Sequence, residues 1–120
     1  MSNEHDRCQE FCVDAKALAA AEKKMPDQAT LNRLSRMFGA FGDANRLKIM
    51  LAVADQDLCV CELGELLGMS APAVSHHLRR LKDLSLVKTR RQGKLVYYSL
   101  DDQHIRDLLL IGQAHLQHSS

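Results

Sequence analysis

No run of apolar residues in this 120-residue chain approaches membrane-spanning length, and no internal repeat or low-complexity tract interrupts it. Aromatic residues are scarce, there is no tryptophan, and only two prolines are present. The opening Met1-Ser-Asn-Glu-His-Asp-Arg-Cys is polar and unlike a signal peptide, so the expected location is the cytoplasm. Four cysteines in that setting read as metal ligands or reactive thiols rather than structural disulfides. No Cys-x-x-Cys and no nucleophile–base constellation occurs, which argues against a thiol enzyme. At this length one compact domain is expected, with a core modest enough that a shared dimer interface would supplement it.

A net charge of +1 hides an uneven distribution. Between Ala71 and Tyr98 stand Arg79, Arg80, Lys82, Lys88, Arg90, Arg91 and Lys94 against Asp83 alone, whereas the remainder carries nine basic and fourteen acidic residues. A basic block on an otherwise acidic chain points to a localised polyanion-binding face.

Residues 1–26 read as an N-terminal arm bearing Cys8 and Cys12, followed by an Ala-rich helix from about Val13 to Lys24 that Pro26 ends. Residues 27–120 read as the main domain. A helix over about 27–41 carries Leu31, Leu34, Phe38 and Phe41 near helical spacing, and Gly42 breaks it. Asp43 suits the N-cap of a third helix with Leu47, Met50, Leu51 and Ala54 on one stripe. Next come a short helix with Leu63, Leu66 and Leu67, the turn Gly68-Met69-Ser70, and a helix capped by Ser70 with Pro72 in its first turn. Residues 87–91 and 95–100 read as two strands around Gln92-Gly93-Lys94, and a last helix covers about 102–117. The expected fold is mainly α with a small β-hairpin: a winged helix-turn-helix.

On a helical wheel the stripe Val74, Leu78 and Leu81 sets the buried face, and His76, Arg79 and Arg80 fall about 130–170° away from its centre. His76 and Arg79 are therefore the preferred base-edge or phosphate contacts, with Ser75 and Arg80 as neighbours, while His77 flanks the core. Arg90, Arg91 and Lys94 at the hairpin could reach phosphates or an adjacent minor groove.

Cys59-Val60-Cys61 opens the first helix of the helix-turn-helix, where a helix N-terminus favours thiolate, and an extended start could turn both sulfurs the same way. Cys8 and Cys12, at i and i+4, share a face if the arm coils. Four thiolates suit soft ions such as Cd(II), Pb(II) or Zn(II). On the last helix, His104 and His115 share a face but lie roughly 16 Å apart along the axis, too far for one ion. Two copies packed antiparallel about a two-fold axis would bring Asp102 and His104 of one to His115 and His118 of the other, a set fit for tetrahedral Zn(II). Ile105, Leu108, Leu109, Gly112 and Leu116 would be the apolar stripe buried by that pairing.

Taken together, Asp57-Leu58-Cys59-Val60-Cys61-Glu62-Leu63, Ala73-Val74-Ser75-His76-His77-Leu78-Arg79, Gly93-Lys94-Leu95-Val96-Tyr97-Tyr98, Asp102-x-His104 and His115-x-x-His118 resemble the ArsR/SmtB family of metal-sensing repressors. Cys8-x-x-x-Cys12 resembles its cadmium- and lead-responsive CadC type. The resemblance spans nearly the whole chain. It implies a homodimer in which Cys8 and Cys12 of one subunit join Cys59 and Cys61 of the other, and a second, interfacial zinc site at Asp102, His104, His115 and His118. His118 stands where the family more commonly has a glutamate. The expected function is that of a repressor whose metal-free dimer holds operator DNA and releases it on binding Cd(II), Pb(II) or Zn(II). Two competing readings are a winged-helix repressor switched by thiol oxidation, which leaves the histidines without a role, and a metal buffer with no DNA function.

Overall fold

The computed structural model describes residues 12–119. The chain divides into two compact units, one up to Asn32 and one from Arg33 onward. In the first, helix α1 (Ala15–Lys24) starts where the Asp14 carboxylate accepts the Lys16 and Ala17 backbone N–H groups, and stops before Pro26. Helix α2 (Gln28–Phe41) opens with Asp27 accepting the Thr30 N–H at 2.8 Å, and the division between the units falls within it.

The second unit holds the core. Helix α3 (Ala44–Ala52) begins as the sequence predicts, with the Asp43 carboxylate accepting the Asn45 and Arg46 N–H groups. After it come strand β1 (Leu58–Cys59), α4 (Val60–Leu67), α5 (Ala71–Asp83), β2 (Val87–Gln92), β3 (Leu95–Leu100) and α6 (Gln103–Ser119). The connection between α4 and α5 is tight for two reasons. Gly68 takes φ +66°, a left-handed conformation that costs a residue with a Cβ. Gly64 lets the turn fold back on α4: a Cβ there would stand 2.9 Å from the Met69 carbonyl oxygen. Ser70 then accepts the Ala73 N–H, with Pro72 in the first turn of α5.

Val74, Leu78 and Leu81 on α5 pack inward with Ile49 and Met50 of α3, Leu63 of α4, and Leu86, Val87 and Leu100 around the sheet. In α3 the buried pair is Ile49 and Met50, whereas Leu51, assigned to the stripe from spacing, is 40% exposed. Leu66 of α4 is likewise 60% exposed, because this short helix meets the core chiefly through Leu63.

The expected hairpin is present, with Val87 opposite Leu100 through to Gln92 opposite Leu95. It is extended by a third strand that hydropathy did not reveal. β1, only two residues long, pairs antiparallel with β3, Leu58 against Tyr98 and Cys59 against Tyr97, so the sheet order is β1-β3-β2. Helix α6 starts at Asp102, whose carboxylate accepts the His104 and Ile105 N–H groups. Ile105 and Leu109, expected to face a second copy, are instead 7% exposed in the core of their own protomer. The apolar residues that α6 presents outward are Leu110, Ile111 and Leu116. No helix among the described residues is long and apolar enough to cross a membrane.

Candidate functional site

With Val74, Leu78 and Leu81 buried, the opposite side of α5 carries His76, Arg79 and Arg80 exposed to solvent, and Ser75 is half-buried at its edge. His76, Arg79 and Arg80 line an open depression together with Arg46 and Asp83. Arg46 was not singled out from the sequence. Its Nε donates to the Ala40 carbonyl at 3.1 Å and its guanidinium lies 3.9 Å from Asp43, which adds a fixed cation from α3 to those of α5. The hydrogen bond from the Arg46 N–H holds the Asp43 carboxyl below its ordinary value, against a smaller opposing effect of burial. His77 is half-buried beside His76, with an enclosed Nδ1 that has no partner.

On the strands, Arg91 and Lys94 are exposed near the turn. Arg90 is engaged with the protein: its Nε donates to Asp57 Oδ2 at 3.1 Å, its Nη1 donates to Gln92 Oε1 at 2.7 Å, and its guanidinium lies 4.9 Å from the centroid of the Tyr97 ring.

The thiols are placed unequally. Cys59 ends β1 and is 8% exposed, whereas Cys61, in the first turn of α4, is exposed. In the single chain the two cysteines differ in exposure, Cys59 being drawn into the sheet opposite Tyr97. The Cys59 N–H donates to the Glu62 carboxylate at 3.0 Å, which places Cys59 at the N-cap of α4. Cys12 is exposed, and Cys8 lies outside the described residues.

On α6, Asp102 and His104 are neighbours, with His104 Nδ1 3.3 Å from Asp102 Oδ2. The His104 ring, more than the backbone N–H groups that also bind it, holds the Asp102 carboxyl below the ordinary range. With Nδ1 turned to Asp102, Nε2 is the ring nitrogen left to face a metal. His115 and His118 are exposed at the other end of the helix. Among the described residues no three His, Cys, Asp or Glu side chains of one chain stand together closely enough to hold an ion. Each helix end supplies a pair.

The model of the bacterial regulatory protein, arsR family, matches residues 43–89, from the N-cap of α3 into β2. A cadmium resistance transcriptional regulatory protein, the CadC homolog of Staphylococcus aureus, is 36% identical over 87% of this chain and 86% of its own length. The transcriptional repressor SmtB homolog of a Synechocystis strain is 46% identical over 78% of this chain and 69% of its own. This chain belongs to the ArsR/SmtB family. Its fold is the winged helix-turn-helix: the homodimeric winged helix-turn-helix DNA-binding domain of a possible ArsR-family regulator from Mycobacterium bovis superposes with a TM-score of 0.71 at 26% identity, covering 78% of this chain and 88% of that one. The strands β2 and β3 are accordingly the wing and α5 the recognition helix. These relatives are transcriptional regulators, and the chain is a regulator of that family rather than an enzyme.

Proposed function

We infer that the protein is a homodimeric repressor that holds operator DNA when metal-free and releases it on capturing a thiophilic divalent ion, Cd(II), Pb(II) or Zn(II), derepressing a metal-resistance gene. The observation that carries the DNA half is α5: a helix held at its base by the Gly68 turn, buried through Val74, Leu78 and Leu81, and exposing His76, Arg79 and Arg80. In a winged helix-turn-helix this face enters the major groove, with Ser75, His76, Arg79 and Arg80 near base edges and phosphates. Arg91 and Lys94 on the wing reach the flanking backbone.

The metal half rests on donor chemistry and on the relatives named for cadmium resistance. Cys59 at a helix N-terminus and the exposed Cys61 are the half-set of one subunit, and Cys8 and Cys12 of the other complete a four-thiolate site suited to a soft ion. The paired Asp102 and His104 of one α6, set against His115 and His118 of the other, form the zinc half-sets. The exposed Leu110, Ile111 and Leu116 supply apolar surface for that α6 pairing in a homodimer. The test is an operator-release assay across Cd(II), Pb(II) and Zn(II) on wild type, Cys59→Ser and His104→Ala. Release by wild type that is lost in Cys59→Ser is expected; release by Cys59→Ser equal to wild type would overturn the thiolate site.

A further inference from the structure

One row of the sheet joins the thiolate half-set to the wing. On the central strand β3, Tyr97 is directly opposite Cys59 of β1 on one side and Arg90 of β2 on the other. Side chains directly opposite across antiparallel strands project from the same face, so Cys59, Tyr97 and Arg90 are successive neighbours. The row is closed by a bond that spans the central strand: Asp57, two residues before Cys59, accepts from Arg90 Nε at 3.1 Å while the same guanidinium lies 4.9 Å from the Tyr97 ring centroid and donates to Gln92. One arginine of the wing is thereby tied to β3 and to the segment leading into β1.

We propose that Asp57 is a positioning residue: by holding Arg90 against Tyr97 it fixes the wing for DNA and transmits a displacement of Cys59 to the wing. This rests on the thiolate reading above for its second half only. Cys59 is 8% exposed at the end of β1 and Cys61 is exposed, so an ion that draws on both sulfurs would act on β1 through the buried Cys59. A shift of Cys59 moves Asp57, and Asp57 carries the guanidinium that orders the base of the hairpin. Arg90 is then a strut and not a phosphate contact. The two roles predict opposite signs. Asp57→Asn removes a negative charge beside a polyanion site, which by charge alone tightens DNA binding; loss of a strut loosens it.

The test uses the full-length dimer and a labelled operator duplex, titrated by anisotropy with chelator and with Cd(II), at several salt concentrations. Asp57→Asn is expected to weaken metal-free operator binding about three- to fivefold, the span an exposed ion pair with a cation–π partner supports. Arg90→Gln is expected to weaken it similarly with an unchanged slope of affinity against salt, whereas a phosphate contact loses about one unit of slope. Arg90→Lys, which keeps the charge but not the fork, is expected to behave like Arg90→Gln. Cd(II) binding to the free Asp57→Asn dimer, followed by thiolate–metal absorbance, stays at the wild-type level, while the Cd(II)-induced drop in operator affinity shrinks at least about threefold relative to wild type. Operator binding by metal-free Asp57→Asn as tight as wild type or tighter, or a salt slope reduced by about one in Arg90→Gln, overturns the strut. A wild-type protein that keeps its operator in Cd(II) overturns the thiolate reading instead, and the metal-free measurements still decide the strut.

Discussion

At the residue scale the face proposed to meet DNA carries a few exposed cations. Arg79 is exposed on the side of α5 opposite the buried stripe, so Arg79→Ala is expected to weaken operator binding by about 1–3 kcal/mol while leaving the melting temperature near wild type. A salt-controlled gel shift with a parallel thermal melt checks both. This position was legible in the sequence because Val74, Leu78 and Leu81 fix the wheel. Arg46 was not, because its approach to α5 depends on how α3 crosses it, which no local spacing records. Asp43 adds a pH signature. Its folded-state pKa is lowered, first by the Arg46 N–H, so the ionised cap contributes stability above the unfolded-chain value and loses it as pH falls through the folded value. Asp43→Asn keeps a capping oxygen and removes the charge. Urea midpoints of wild type and Asp43→Asn are expected to differ near neutrality and to converge below about pH 4.

At the element scale the helix-turn-helix was readable because each boundary has its own chemistry: the Asp43 and Ser70 caps, the left-handed Gly68 and the early Pro72. The third strand escaped because two residues give no alternation to detect, and its partner Tyr97 lies nearly forty positions on. That strand also accounts for the unequal exposure of the cysteines, since pairing draws Cys59 inward and leaves Cys61 on α4 in solvent. The joint between α4 and α5 makes a direct prediction. A Cβ at Gly64 meets the Met69 carbonyl oxygen at 2.9 Å, a backbone atom that cannot swing aside. Gly64→Ala is therefore expected to destabilise the fold by about 1–3 kcal/mol despite the better helix propensity of alanine, measured as a lowered denaturation midpoint.

At the scale of the whole molecule, the proposed homodimer rests on the exposed apolar residues of α6 and on the His and Asp side chains at its two ends. Ile105 and Leu109 were assigned to the subunit contact from periodicity, yet they fill the core of their own protomer, because a helix that lies on its own domain and also meets a partner carries two apolar stripes that one sequence period does not separate. Ile111, 65% exposed, marks the outward stripe. Ile111→Asp is expected to shift the protein from dimer to monomer in light scattering and to weaken operator binding at least about tenfold, with α5 still folded by circular dichroism. Linked metal capture and operator release also obey reciprocity: if Cd(II) weakens DNA binding by some factor, DNA weakens Cd(II) binding by the same factor. The most direct measurement is a Cd(II) titration of the free dimer beside the same dimer saturated with operator. A coupled protein binds Cd(II) more weakly on the operator, by about 5- to 150-fold and by the factor that Cd(II) imposes on DNA affinity; equal Cd(II) affinity in the two titrations contradicts metal-driven release.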